Sequence, residues 1–325
     1  YCIMLRSMRW LFLGIPLLLS ACADDGVCRI STLGNLEVLN ATGSPIVKAT
    51  VNGHPVAFIV DTGAQISSIW PKEVDKLDLV SSFHTLRMRG TGGETFAGVA
   101  IADKLGMGSG TASNIPFVTV GNMFDGRTVE GLPVVGLFGA DFLGSYDVVF
   151  DLPARRINLY VTHGCGESQP DWSGGFYKIG IDHGSQDRTK IQVHLKLDGH
   201  PMDAFLDSGA HRTLISLDDA LAAGVKKADL LQDRKGVGIG IDDRKTVRYL
   251  HQFDSLDVGP FQIMHPVLNV GDTRDSLLGA EFFRRNRVWI PRHENWIFVQ
   301  PVFAKVLSVS QPPPSSQAAP AASGQ

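Results

Sequence analysis

The sequence is poor in charge and lacks the motifs of several common enzyme classes. Charged residues make up 19% of its 325 residues and the formal net charge is −3, a balance that gives no indication of nucleic-acid binding. A Gly-x-Ser-x-Gly segment is absent, which excludes the common serine-hydrolase elbow. His163, Cys165 and His183 do not have the spacing of a zinc site. We therefore expect neither a metal nor a cofactor.

Long apolar runs are absent after the N-terminus, so we expect no transmembrane helix there. At the N-terminus, Arg6 and Arg9 precede the short apolar run Leu11–Leu19, which predicts an export signal over residues 1–21. The segment Leu19–Cys22 resembles the bacterial lipobox. That resemblance implies lipidation of Cys22 and a membrane anchor facing the bacterial periplasm, with Ala23 typical of the outer membrane. An ordinary secretory peptide is the alternative.

Cysteine is rare, with four residues in the chain. Cys2 would leave with the signal and Cys22 would carry lipid, so Cys28 and Cys165 would remain. In an oxidising compartment these two thiols are able to pair, although their spacing does not require it.

Glycine is abundant, with 35 residues, and Phe (17) outnumbers both Tyr (5) and Trp (5). Many glycines and few long helical patterns favour strands and tight turns. The apolar fraction of 44% is that of a globular protein with true cores. The length allows two domains, so we expect a β-rich protein in two parts.

Two segments of the chain are copies of one another, Val51–Ala64 and Leu197–Ala210. Each has a turn, an apolar strand and then a carboxylate, a hydroxyl and a glycine. These triplets are Asp61-Thr62-Gly63 and Asp207-Ser208-Gly209, and the chain has no other Asp-Thr/Ser-Gly. The offset of 146 positions holds across both segments without a gap. The repeat suggests two half-sites that meet to form one site.

The surrounding sequence repeats as well. The strands Ile46–Val51 and Ile191–Leu197 precede the turns Asn52-Gly53 and Asp198-Gly199. Each half then has one predicted short helix, opened by Pro71 in the first half and capped by Ser216 in the second. A later block also matches, Leu137–Leu143 with Leu277–Phe283.

These repeats define the predicted domains. They are a first domain over residues 30–162, a Gly-rich and polar linker over residues 163–174, and a second domain over residues 175–302. A tail rich in Pro, Ser and Ala over residues 303–325 is predicted to be disordered.

The repeated triplet carries a definite chemistry. A buried strand would hold each Asp in a dry groove, glycine would allow close approach of a second backbone, and the hydroxyl would bond across the junction. Two facing carboxylates cannot both stay ionised, so Asp61 and Asp207 would share a proton. One would then deprotonate a water while the other protonates the scissile carbonyl.

The repeats resemble retropepsin-type aspartic protease domains, fused in tandem as in bacterial exported aspartyl proteases. The resemblance covers about residues 30–300 and implies an all-β pseudodimer of two acid-protease barrels. It implies that Asp61 and Asp207 are catalytic, and that Thr62, Gly63, Ser208 and Gly209 brace the pair. It also implies that Leu137-Phe138-Gly139 and Leu277-Leu278-Gly279 pack beneath the two Asp loops. Two Gly-rich segments would form flaps over a peptide or protein substrate: Gly90, Thr91, Gly92 and Gly93 in one half, and Gly236, Val237 and Gly238 in the other.

The chain departs from the family pattern in places. Neither flap candidate has a Tyr, and Ala140 and Ala280 stand where retroviral proteases often carry a charge. We expect an aspartic endopeptidase that works as a monomer, with both aspartates in one chain. Two alternatives stay open: a non-catalytic peptide-binding or assembly lipoprotein on the same fold, and a homodimer in which each half pairs with its twin.

Overall fold

The computed structural model describes residues 29–90, 93–121, 126–163, 169–183, 189–239, 245–292 and 294–302. Below, residues 29–163 are called the first half and residues 169–302 the second half. The predicted signal peptide, the disordered tail and part of the linker lie outside the described residues, as do Cys22, Cys28, Cys165, Thr91 and Gly92.

Among the described residues, the first half has eleven strands. They are β1 (Arg29–Glu37), β2 (Ile46–Val51), β3 (His54–Val60), β4 (Ser68–Ile69), β5 (Val80–Gly90), β6 (Gly93–Met107), β7 (Gly110–Thr119), β8 (Thr128–Val129), β9 (Leu132–Phe138), β10 (Asp147–Asp151) and β11 (Arg156–His163).

The second half contributes the twelve remaining strands. They are β12 (Tyr177–His183), β13 (Ile191–Leu197), β14 (His200–Leu206), β15 (Leu214–Ser216), β16 (Arg234–Ile239), β17 (Lys245–Gln252), β18 (Ser255–Val258), β19 (Phe261–Met264), β20 (Val267–Gly271), β21 (Ser276–Leu278), β22 (Asn286–Ile290) and β23 (Trp296–Pro301).

Helices are few and short among the described residues. The α-helices are α1 (Ala140–Leu143), α2 (Leu217–Ala222), α3 (Lys227–Leu230) and α4 (Ala280–Arg285), and 3₁₀ turns cover Pro71–Glu73 and Leu152–Ala154. The predicted helix after Ser216 is present, and the Ser216 hydroxyl caps it by accepting from the Asp219 N–H at 3.0 Å. The helix predicted after Pro71 is a 3₁₀ turn. The sequence predicted one short helix per half, and the structure has further helices: α1 in the first half, and α3 and α4 in the second.

Each half is a small barrel. In the first half the strand order is β2-β3-β9-β4-β7-β6, and β6 pairs back onto β2, which closes six strands. The second half repeats this order as β13-β14-β21-β15-β20-β17, and β18 closes it onto β13. Strands β17 and β18 together occupy the place in the second barrel that β6 has in the first. The strand is interrupted between them at Phe253 and Asp254. Phe58 fills the first barrel, and its ring stacks on Phe138 with centroids 4.2 Å apart.

The two halves share one antiparallel sheet. Its order is β1-β11-β10-β22-β23-β12, so each half supplies three strands. The halves meet where β10 lies beside β22, with Val149 opposite Trp289 and Asp151 opposite Arg287. This arrangement confirms the predicted all-β pseudodimer of two barrels in one chain. No helix within the described ranges is long and apolar enough to cross a membrane.

A loop of the first half also contacts the second half. The Ser44 hydroxyl donates to the Gly209 carbonyl at 2.6 Å. Arg284 of α4 donates to the carbonyls of Gly43 at 3.0 Å and Asn40 at 3.0 Å. These bonds link the first half to the Asp207 loop and to the helix behind it, so the position of one half depends on the other.

Candidate active site

The two Asp-Thr/Ser-Gly triplets follow equivalent buried strands. β3 lies between β2 and β9, and β14 lies between β13 and β21, so each strand is held on both edges. The N–H of Asp61 donates to the Phe138 carbonyl at 2.9 Å, and that of Asp207 donates to the Leu278 carbonyl at 2.9 Å. Each carboxylate is thereby placed where its strand leaves the barrel.

Thr62 and Ser208 join the two triplets across the junction. The N–H of Thr62 donates to Ser208 Oγ at 3.0 Å, and the N–H of Ser208 donates to Thr62 Oγ1 at 3.0 Å. Each hydroxyl in turn donates to a strand of the other half, Thr62 to the Leu206 carbonyl at 2.6 Å and Ser208 to the Val60 carbonyl at 2.7 Å. All four groups are paired, and both side chains are buried. These four bonds hold the two triplets against each other.

The third residue of each triplet brings the carboxylates together. A Cβ added to Gly63 would lie 2.4 Å from Asp207 Cγ, and one added to Gly209 would lie 2.1 Å from Asp61 Cγ. Each glycine therefore packs its Cα against the carboxylate of the other half. Only a residue without a side chain permits this approach.

Backbone N–H groups hold both carboxylates in place. Asp61 Oδ1 accepts from Gly63 at 2.9 Å and from Ala64 at 3.1 Å. Asp207 Oδ1 accepts from Ala210 at 2.8 Å. Both aspartates remain partly open to solvent. The oriented pair can therefore be reached by water and by a substrate.

Burial raises the pKa of Asp61 well above its ordinary value, and the charge of Asp207 and a hydrogen bond between the two carboxyl groups raise it further. Burial also raises the pKa of Asp207. There the N–H of Ala210, the bond from Asp61 and the charge of Lys190 oppose the rise. Burial therefore favours the protonated form at both groups, and the nearby charge disfavours ionisation of both at once, so the pair shares one proton. The two groups titrate as a pair.

A later block in each half supports the Asp loop from below. A Cβ on Gly139 would come within 2.8 Å of the Ile66 backbone, and one on Gly279 within 2.4 Å of the Arg212 backbone. The next residue closes the contact, since the N–H of Ala140 donates to the Ala64 carbonyl at 2.8 Å. The Leu-Phe-Gly and Leu-Leu-Gly segments thus lie directly beneath the two triplets.

Two acidic residues that the sequence analysis did not single out brace these loops. Asp141 Oδ1 accepts from the Ser67 N–H at 2.9 Å and the Ser67 hydroxyl at 2.7 Å. In the second half, Glu281 Oε1 accepts from the Thr213 N–H at 3.0 Å. These carboxylates lie one position after Ala140 and Ala280. The charge that braces each loop is therefore one residue later in the chain than the charge that retroviral proteases often carry after this glycine. The matched positions of Asp141 and Glu281 in the repeat were the signal available in the sequence.

Both predicted Gly-rich segments belong to β-hairpins. Gly90 and Gly93 pair at the end of β5 and β6, and Thr91 and Gly92 between them lie outside the described residues. Gly236 and Gly238 lie in β16 opposite Arg248 and Thr246 of β17, and Val237 is exposed. The charge of Asp207 acts on Arg248, which lies on this hairpin.

The site contains no arrangement of residues that would suit a metal. Within the described ranges, no three or more His, Cys, Asp or Glu side chains are grouped so as to hold an ion.

Comparison with known proteins bears on the same two regions. A family model described as "Aspartyl protease" matches residues 47–142 and 193–282, together more than half of the chain. The chain is 28% identical over 114 residues to Protein DDI1 homolog 1 of Homo sapiens, which is 34% of this chain and 28% of that protein. It is 27% identical over 111 residues to Protein DDI1 homolog 2 of Danio rerio, 34% of this chain and 26% of that protein. These alignments span little more than a quarter of the relatives' own lengths.

Proposed function

The chain belongs to the aspartyl protease family, and on that premise we propose that it is an endopeptidase that hydrolyses peptide bonds with water activated between Asp61 and Asp207. The observation that supports this is the meeting of two half-buried carboxylates that share one proton across the junction of the halves. If each Asp-Thr/Ser-Gly triplet only formed a turn after its strand, nothing would explain why each glycine packs against the carboxylate of the other half.

The mechanism requires one carboxyl group of the pair to be protonated and the other to be ionised, and here Asp61 is taken as the acid and Asp207 as the base. Ionised Asp207 accepts a proton from a bound water, whose oxygen attacks the scissile carbonyl carbon. Protonated Asp61 donates its proton to the carbonyl oxygen, which gives a neutral tetrahedral intermediate. The proton gained by Asp207 then passes to the leaving amine as the C–N bond breaks. At the same time one hydroxyl of the intermediate returns its proton to Asp61 and becomes the carbonyl of the new carboxyl group, so the dyad is singly protonated again.

The substrate in this proposal is an extended peptide or a segment of a protein. The groove lies between the halves, with Asp61 contributed by one wall and Asp207 by the other. The hairpins that carry Gly90 and Gly238 cover the peptide, and their glycines allow close approach of its backbone. No cofactor takes part.

Cleavage of a diverse peptide pool by the full chain, from mildly acidic to neutral pH, tests this function. We expect cuts by the unmodified protein and a loss of at least about 1,000-fold in kcat/KM for Asp61→Asn or Asp207→Asn, because either change removes a group that acts in the transition state. The matched control is Asp103→Asn, which changes an exposed aspartate on β6 and should not affect turnover.

Two outcomes would contradict the proposal. Turnover that persists in Asp61→Asn would mean that the dyad is not the catalytic group. A folded protein that binds peptides without cutting them would instead favour a non-catalytic binding lipoprotein on this fold.

For location, we propose export to the bacterial periplasm and a lipid anchor at Cys22, with the outer membrane favoured. The support is the order of basic, apolar and small residues that ends at Leu19-Ser20-Ala21-Cys22. Labelling of cells with a radioactive fatty acid should mark the unmodified chain and leave Cys22→Ser unmarked. Equal labelling of both proteins, or of neither, would rule out the anchor.

A further inference from the structure

The two walls of the groove can be compared position by position through the strand registers. Ser68 pairs with Val118 in the first half and Leu214 pairs with Asn269 in the second, so Val118 and Asn269 are equivalent. By the same register, Val120 is equivalent to Gly271.

The hairpin strands give the remaining matches. Gly98 lies opposite Thr119 and Tyr249 opposite Val270, which makes Ala97 equivalent to Arg248. Leu86 lies opposite Ala97 and Gly236 opposite Arg248, which makes Met88 equivalent to Gly238. Ile66 and Arg212 are equivalent too, because the backbone of each packs against the matching glycine, Gly139 or Gly279.

In the first half these positions form an apolar cluster. Its buried members are Ala97, Val118 and Val120, and Ile66 and Met88 pack against them while remaining partly exposed. Ile66 lies in the loop that follows Asp61, and Met88 lies two residues before the end of the hairpin strand β5. This wall therefore offers an apolar surface between the catalytic loop and the flap.

In the second half the equivalent positions are basic, polar or without a side chain. They are Arg212, Gly238, Arg248, Asn269 and Gly271. Gly238 leaves the space that the Arg248 side chain occupies, because a Cβ on Gly238 would collide with the guanidinium. Gly271 lies beside the stem of the same side chain.

The hydrogen-bonding capacity of Arg248 is unused within the described structure. Its Nε is buried and has no hydrogen-bond partner, and neither Arg248 nor Arg212 forms an ion pair with a described residue. Burial lowers the pKa of the Arg248 guanidinium, and the charge of Asp207 opposes this shift. Its position is given by Gly238, since a Cβ on that glycine would collide with the Arg248 guanidinium, which therefore lies against the β16 strand of the hairpin. A half-buried arginine with an unpartnered donor is costly unless a ligand supplies an acceptor.

We propose that the groove is chemically asymmetric, so that Arg248, aided by Arg212, binds an acidic side chain of the substrate over the second half. The cluster around Met88 and Ile66 binds an apolar side chain over the first half. The substrate class is thus a peptide with an acidic residue on one side of the scissile bond and an apolar residue on the other. This inference rests on the proposed function.

A carboxylate fits the second wall better than any other peptide group. It accepts two parallel N–H bonds from a guanidinium, and such charge-assisted bonds are stronger than neutral ones. It would also satisfy the buried Nε. A basic side chain over this wall would be repelled by Arg248, so the same residue disfavours the wrong substrate.

The test compares three peptides that differ only at the residue over the second half, which is Glu, Gln or Lys. Cleavage of a peptide pool by the full chain first locates that position. For the unmodified protein we expect kcat/KM to fall in the order Glu, Gln, Lys. Arg248→Ala should reduce kcat/KM for the Glu peptide by about 10- to 100-fold, as for loss of a hydrogen bond to a charged group, with little change for the Gln peptide.

Two further variants sharpen the result. Arg248→Glu should reverse the order, so that the Lys peptide is cut best, while Arg248→Lys should keep part of the preference. The control is Lys245→Ala, which removes the same charge from the same strand. Its side chain lies on the opposite face of β17, and its three-peptide profile should match that of the unmodified protein.

The outcomes separate this inference from the proposed function. Cleavage without an acidic preference would overturn the asymmetric groove and leave the protease intact. An equal loss on all three peptides in Arg248→Ala, with a shifted pH profile, would mean that Arg248 acts on the dyad, which also overturns the inference. If no peptide is cut, fluorescence anisotropy decides: tighter binding of the Glu peptide that disappears in Arg248→Ala supports the acidic site, and equal binding of all three rejects it.

Discussion

At the scale of single residues, Gly63 and Gly209 determine how closely the two carboxylates approach. Each has the other half's aspartate where a Cβ would stand, at 2.4 Å and 2.1 Å. Gly63→Ala or Gly209→Ala must push the halves apart, and overpacking of this kind costs about 1–3 kcal/mol. We expect either variant to unfold at lower temperature and to lose at least about 100-fold in kcat, since the pair could no longer share its proton.

Gly180 provides the control for that experiment. It lies on β12 and a Cβ there would meet nothing within 4 Å. Gly180→Ala should therefore keep its activity and unfold close to the temperature of the unmodified protein. An active Gly63→Ala would show that the carboxylates need not be in contact.

The raised pKa values of Asp61 and Asp207 predict how stability changes with pH. An unfolded Asp has a pKa of about 3.9, and both folded values are higher. The folded protein thus holds protons that the unfolded chain releases. Their contribution to stability is complete below about pH 4 and is lost as pH rises through the folded pKa values.

Thermal unfolding across pH 4 to 7 measures this effect. The amide introduced by Asp61→Asn has no titrating proton, so the melting temperature of this variant should fall less over this range than that of the unmodified protein. Parallel curves for the two proteins would contradict the raised pKa values. Activity should likewise decline at high pH, where the aspartate pair loses the proton that it donates to the substrate.

At the scale of elements, the contact between helix α1 and the loop that follows Asp61 depends on the carboxylate of Asp141. Asp141 accepts from the N–H and the hydroxyl of Ser67, and that hydroxyl accepts from the Gly139 N–H at 3.0 Å. Asp141→Ala leaves the Ser67 groups without this acceptor, which costs about 1–3 kcal/mol.

Activity should fall in Asp141→Ala as well, because the loop that carries Asp61 loosens, with kcat reduced more than KM is raised. Steady-state kinetics and thermal unfolding measure the two effects. Asp103→Ala is the matched control, since Asp103 is exposed on β6. Unchanged kcat in Asp141→Ala would mean that the brace does not position the dyad.

Local elements could be predicted because their signals lie within a few residues. The strands Ile46–Val51 and Ile191–Leu197 appear with the predicted bounds. The turn after the first of them has positive φ at Asn52 (49°) and Gly53 (88°), as an Asn-Gly hairpin requires. The next strand, β4, is only Ser68–Ile69, because the backbone at Ile66 packs against Gly139 and does not join the strand.

Features that depend on distant parts of the chain could not be predicted in this way. The pairing of β10 with β22 and the nearness of Arg248 to Asp207 follow from how strands far apart in sequence align. The facing of Asp61 and Asp207 was expected only because the repeat and the family resemblance implied it. The bracing role of Asp141 was missed because the family pattern directs attention to the position directly after Gly139.

At the scale of the whole molecule, an ion-pair cluster lies where the halves join. Asp151 of β10 accepts from Arg287 of β22 at 2.9 Å and from Arg156 at 2.9 Å, with 3% of its side chain exposed. Asp151→Ala leaves both guanidinium groups without this partner, and we expect a loss of about 1–3 kcal/mol in the free energy of unfolding.

Chemical denaturation of Asp151→Ala should show one transition at lower denaturant concentration, because the halves share a single sheet. Asp198→Ala is not suitable as a control, since its carboxylate accepts from the Ser255 N–H at 2.8 Å. Asp171→Ala, at an exposed position in the second half, should leave the midpoint in place. Two separate transitions in the unmodified protein would contradict a shared cooperative unit.

Both aspartates and all six strands of the shared sheet come from one chain, so we expect a monomer with one active site. Sedimentation equilibrium of the active protein should give a mass near 35.2 kDa. Activity confined to a dimer would instead support the arrangement in which each half pairs with its twin.

The direct pairing of β10 with β22 also affects how such a groove evolves. When a groove is assembled from two identical chains, one codon encodes both walls, so every mutation is duplicated and a charge gained on one side appears on the other. Here each wall has its own codons, and a change at residue 248 leaves residue 97 as it was. The ancestral duplication that the repeat suggests therefore lets selection act on each side of the cleft separately, and single mutations are enough to make its two sides prefer different side chains.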